Sequence, residues 1–202
     1  TCDATNVNAM TVGGSLTVGS GTTFTEDGVG LTVTGATSVS GTLDHATALA
    51  TRTYVGLVTV NSGGSWTNTG NTTITLRGGI THNGTTFSSG SGVYTFNTNA
   101  QAIGGTTALA IGNVTVTGVT LTNNSADFTV STALSGTGGL TQGSGATLKL
   151  GGTSGITTLT ASVNPNTVNY TGAAQTVKAT TYHHLTLSGS GTKTMPGSAM
   201  AI

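Results

Sequence analysis

Apolar and polar residues trade places with a period of two in short runs along the chain. Examples are Ser15-Leu16-Thr17-Val18, Leu31-Thr32-Val33-Thr34, Leu57-Val58-Thr59-Val60 and Thr73-Ile74-Thr75-Leu76. The pattern returns in Val93-Tyr94-Thr95-Phe96, Val114-Thr115-Val116, Val119-Thr120-Leu121-Thr122, Ala146-Thr147-Leu148-Lys149-Leu150 and His184-Leu185-Thr186-Leu187. This period puts alternate side chains on one face of a strand. Between the runs lie Gly-Ser, Gly-Gly, Asn-Gly and Asn-Asn pairs, whose backbone preferences turn the chain. No segment carries a helical period. Asp44 to Arg52 is the longest stretch without alternation and reads as a protruding loop or a single helical turn.

The runs recur. One unit reads GSLTVGSGTTF from Gly14, VTVNSGGSW from Val58, GITHNGTTF from Gly79 and GLTQGSGATL from Gly139. Its apolar starts are Leu16, Val58, Ile80 and Leu140. They are spaced by near multiples of about 20–22 residues. Trp66 falls where Phe24, Phe87 and Leu148 fall in the other copies, which predicts a core position. A longer repeat, of about 74 residues, relates the stretch near 96–118 to that near 170–189, with Gln101 matching Gln175. The two glutamines are expected to share a structural task, such as bonding backbone at a corner.

A repeat of this length with short strands and Gly/Asn corners predicts one architecture. We expect an all-β, single right-handed parallel β-helix over residues 1–202, with coils of about 20–22 residues stacked at strand spacing. A β-sandwich would share the short alternating strands but not the recurrence. The left-handed hexapeptide β-helix would require a six-residue period that is absent.

Composition fits a thin core repeated along an axis. Gly (33), Thr (48), Ser (18) and Asn (14) make up over half of the 202 residues, while hydrophobic residues are 35% and charged residues 5%. Five acids balance five bases, so no basic patch exists to neutralise phosphates and nucleic acid is not an expected partner. No apolar run approaches the length of a membrane-spanning helix. Mean hydropathy of +0.14 and the sharp alternation argue against disorder. The single cysteine, Cys2, could link to another chain or be an inert thiol.

Candidate chemistry is sparse. The acids are Asp3, Glu26, Asp27, Asp44 and Asp127. Glu26-Asp27 read as a turn, and Asp44-His45 with Arg52 as an exposed polar loop, the first place to look for a site. Proton transfer on a polysaccharide needs convergent carboxylates, which this spacing does not supply. His183-His184 are adjacent and would point to opposite faces of a strand, with His45 and His82 distant in sequence, so no metal site is expected. No catalytic, cofactor-binding or metal residue is assigned, and no cofactor is expected. Trp66, Tyr94 and Tyr182 could form a sugar-stacking platform. Thr-x-Thr pairs such as Thr32/Thr34, Thr51/Thr53, Thr73/Thr75, Thr115/Thr117 and Thr158/Thr160 suggest ice binding, though such pairs are no commoner than random placement of the threonines would give.

The blocks VYTFNTNAQAIGG (from Val93) and TVNYTGAAQTVKATTYHHLTLSGSGTKT (from Thr167) resemble repeats of large secreted bacterial surface proteins, similar to filamentous-haemagglutinin and autotransporter stalks. The resemblance covers the chain from about Thr72 onward. It implies an extracellular or cell-surface rod that serves as a fibre segment or adhesin stalk, and it brings no catalytic residues. Neither end shows a capping helix, and the segment from Met195 to Ile202 is apolar. Either more chain follows or the ends stack on neighbouring subunits; on the second course self-association end to end into filaments is expected, with glycans or a host or cell surface as further partners. The alternative is a binding module for glycans or ice.

Overall fold

The computed structural model describes residues 9–48 and 50–197. The expectations on Cys2, Asp3 and the chain beyond Gly197 fall outside them. Within them the protein is an all-β parallel solenoid, and every named strand pair is parallel. It makes about nine turns of roughly 20 residues. A sandwich is thereby excluded. All nine alternating runs fall in strands, trimmed or extended by a few residues at their ends.

Each early turn has three sides. The long sheet begins with Met10–Val12, Leu31–Val33, Arg52–Tyr54 and Ile74–Leu76. A second sheet begins with Leu16–Val18, Thr37–Val39, Val58–Val60 and Ile80–His82. A third holds Thr23–Glu26, Thr42–His45, Ser65–Thr67 and Thr86–Ser88. In the long sheet Met10, Leu31, Arg52, Ile74 and Tyr94 are successive register partners, one per turn, as the recurrence in the sequence predicts. Ten strands follow one another along this sheet, and nine steps at strand spacing give a rise of about 43 Å.

The corner between the long and second sheets is held by close backbone stacking. Gly35 lies directly over Gly14, Gly56 over Gly35 and Gly78 over Gly56. A Cβ on Gly56 would come within 2.4 Å of the Gly35 carbonyl oxygen. No side chain larger than hydrogen fits there.

In the second half the third side merges with the long sheet. Leu109–Thr117 and Phe128–Ser135 are long strands that bend at a register shift between Ile111 and Asn113, around Gly112. Beyond them the line Phe128, Leu148, Val168, Leu185 carries the sheet onward. Phe96 pairs with Val116 on one side of this bend, whereas Tyr170 continues the line Ile111, Val130, Leu150 on the other. The longer sequence repeat is thus not a whole number of turns, and its second copy sits on a different side of the coil.

Inward residues form one continuous core. Val33, Val39, Leu43, Val58, Ile74, Phe96, Leu121, Phe128, Leu148 and Tyr170 are all fully buried. Trp66 is in this core, as its place in the repeat predicts.

Candidate functional site

A loop does form where one is expected, over residues 46–48 and 50–51 among the described residues, but the polar residues at its ends are not part of it. Asp44 and His45 end the strand Thr42–His45, and Arg52 begins the strand Arg52–Tyr54. Glu26 likewise belongs to the strand Thr23–Glu26 and not to a turn. Strand alternation then decides the outcome: Glu26, His45 and Arg52 take inward positions and are at most 3% exposed. Arg52 fills the column between Leu31 and Ile74.

A dry polar cluster results. Arg52 donates from Nε to the Glu26 carboxylate, and from Nη1 to the Ala50 carbonyl and, at 3.1 Å, to Thr72 Oγ1. His45 sits in register over Glu26. Its Nε2 is 2.6 Å from the Tyr54 hydroxyl and its Nδ1 is 2.9 Å from the Thr67 carbonyl. These contacts suit a neutral ring that donates from Nδ1–H and accepts from Tyr54. Trp66 Nε1–H donates to the Tyr94 hydroxyl at 3.0 Å, and Asn68 clamps both backbone groups of Thr72 at 2.9 Å. Burial pushes His45 down to about 4, with the Arg52 charge adding to it and the Thr67 carbonyl and Asp44 opposing. Burial raises Glu26 above the ordinary carboxyl range against the pull of Arg52, and raises Tyr54 and Tyr94. Glu26 alone of these groups lines a hollow of about 420 Å³ at the first turn, beside Met10, Phe24 and Val29.

The other expected sites come apart. Trp66, Tyr94 and Tyr182 are buried to 1% exposure or less, so they offer no sugar-stacking platform. Tyr182 instead bonds the Tyr170 hydroxyl at 3.1 Å and donates to the Lys178 carbonyl at 2.6 Å. His82 is inward and buried, far from the exposed His184. Asp127 pairs with Lys149 at 2.7 Å on the surface. Among the described residues, no three His, Cys, Asp or Glu side chains gather as metal ligands do.

The matching glutamines do share a task. Gln101 accepts from the Gly79 N–H at 2.9 Å and donates to the Leu76 carbonyl at 3.0 Å. Gln175 accepts from the Gly172 N–H at 2.7 Å and donates to the Leu150 carbonyl at 2.8 Å. Both amides therefore reach a carbonyl 25 positions back, one turn below, and brace a corner.

The outer face of the long sheet carries an arrangement that counting Thr-x-Thr pairs could not find. Thr11, Thr32, Thr53, Thr75, Thr95, Thr115 and Ser135 stand in register, one per turn, as a rank of hydroxyls in which Thr75 is buried. Shorter ranks run along the third sheet: Thr23, Thr42, Ser65, Thr86 beside Thr25, Asp44, Thr67, Ser88. Only the Thr115–Ser135 step of the long rank closes as a hydroxyl pair, at 3.1 Å, among the described residues. The signal that finds the rank is spacing at the coil period, one whole turn, and not spacing of two.

Comparison of the chain with protein-family models, with curated proteins and with solved structures finds no match.

Proposed function

We propose that the protein is a structural segment of an extracellular fibre or adhesin stalk, in the style of the secreted bacterial surface proteins that its repeats resemble. The observation that carries this reading is the uninterrupted parallel ladder of nine steps over one apolar core, cross-braced at its corners by Gln101 and Gln175. Load along such a rod is shared by many backbone hydrogen bonds, and the outer faces present neutral hydroxyls. Stacking of one copy on the next would be heterologous and open, which builds filaments. Imaging of the purified chain in vitreous ice tests both parts. Long filaments with an axial repeat of about 45 Å support stacking, isolated rods of about that length leave a stalk segment without stacking, and compact globules contradict the rod.

The hydroxyl rank favours a second reading, binding to ice. In the third sheet, where two ranks lie side by side, residues one turn apart repeat at about 4.8 Å and alternate residues of a strand at about 6.7 Å, a grid, interrupted by Asp44, that can order water. Thermal hysteresis and inhibition of ice recrystallisation are the readouts. Activity lost on Thr23→Tyr and Thr86→Tyr, both exposed on the third sheet, supports this reading, and a chain inert at millimolar concentration refutes it.

A further inference from the structure

The polar groups of the core are divided along the rod by chemical type. Between residues 23 and 96 they include Glu26, His45, Arg52 and His82, all at most 3% exposed. From residue 101 onward the large ones are carboxamides: Gln101, Asn123, Gln142, Asn166 and Gln175. A carboxamide does not change charge between neutral and acid pH, and an imidazole does. In the second half the acids and imidazoles are Asp127, His183 and His184, which are part-exposed or exposed as residues, although His183 Nδ1 is buried without a partner.

We infer that the rod has an acid-labile N-terminal half, in which acidification opens the turns of residues 23–96 while those of residues 109–187 stay folded. His45 is the first lever. It faces Glu26 in register below, Arg52 and Tyr54 from the next strand of the long sheet, and Trp66 and Thr67 from the turn above, while Asp44, beside it on its own strand, points to the outer face. As a neutral ring it has a partner on each nitrogen. As an imidazolium it would place a second positive charge beside Arg52 in the core, and its Nε2–H would donate to Tyr54, whose own hydroxyl proton would lose its acceptor. His82 is the second lever. Its Nδ1 is buried without a partner, Phe87 packs on its ring at 5.4 Å, and the strands Val58–Val60 and Gln101–Gly104 on either side bring no charged group to it. Arg52 engages one oxygen of Glu26, and the other, Oε1, is buried without a hydrogen-bond partner, so neither imidazole is bonded to the carboxylate.

The sign follows from linkage. A histidine held below its ordinary value contributes stability that is whole above about pH 6.5 and is lost as pH falls, for His45 towards about 4. Burial lowers His82 in the same sense. Glu26, raised by burial, acts oppositely: the folded state gains as pH falls through its raised value towards 4.5. Two imidazoles stand against one carboxyl, so acid destabilises this half. Turns of a solenoid contact only their neighbours, so one half can open while the other remains.

Hydrogen exchange of the full chain at about pH 7 and about pH 4.5, corrected for intrinsic rates, tests this. Protection over residues 31–96 is expected to fall by up to about a hundredfold, with residues 109–187 changed by less than about threefold. Equal loss in both halves, loss beginning in residues 109–187, or unchanged protection throughout overturns the inference. The double variant His45→Gln, His82→Phe should remove the acid loss from the first half, and its persistence there would also overturn the inference. Should that variant not fold, the wild-type comparison decides alone.

Discussion

At the scale of single residues, the alternation of a strand overrides the usual preference of charge for water. Glu26 and Arg52 are inside because neighbours on either side fix the register, and each then depends on the other. Replacing Arg52 with Ala should cost about 3–5 kcal/mol, because it leaves the Glu26 carboxylate buried and unpaired. The double variant Glu26→Leu, Arg52→Met should be close to neutral, or more stable than the wild type. Denaturant unfolding followed through Trp66, the single tryptophan, separates the two, and an equal cost for both variants would contradict a buried pair. The glycine column gives a second prediction. Gly56→Ala must push against the Gly35 carbonyl and should cost about 1–3 kcal/mol. Gly13→Ala, with nothing within 4 Å of its new Cβ, should cost far less by the same measurement.

At the scale of elements, the strands were legible because period-two alternation and Gly/Asn punctuation are local signals. Trp66 and the paired glutamines were legible because the chain repeats itself. What the sequence hid was long-range. The loop before Arg52 is legible, but no local pattern announces that Arg52 at its end will turn inward to meet Glu26, a residue 26 positions earlier. The hydroxyl rank was hidden because its members lie one whole turn apart. The bend at Gly112, which fuses two sides of the coil, had no counterpart in the first half to be recognised by. The glutamine braces predict that Gln101→Ala and Gln175→Ala act alike although they occupy different sides of the coil. Each should cost about 1–3 kcal/mol by leaving buried backbone groups unsatisfied. Exchange protection should fall locally, near residues 76–79 for the first and near 150–152 and 172 for the second. Global collapse from either change would show that the braces are not local.

At the scale of the whole molecule, the architecture is quasi-one-dimensional. Stability is spread over turn-to-turn interfaces, and the rod needs no deep core and no internal disulfide. The outer faces carry mostly neutral hydroxyls, and the polar, titratable N-terminal core sets that half apart from the amide-braced remainder. The most direct test of a mechanical role is to pull a single chain between its two ends. A stacked rod should resist and then yield in steps, each releasing one turn or a small multiple of turns, with about 65 Å of extra length per turn of roughly 20 residues. Extension at low force as one featureless transition would contradict the account of this protein as a mechanical segment.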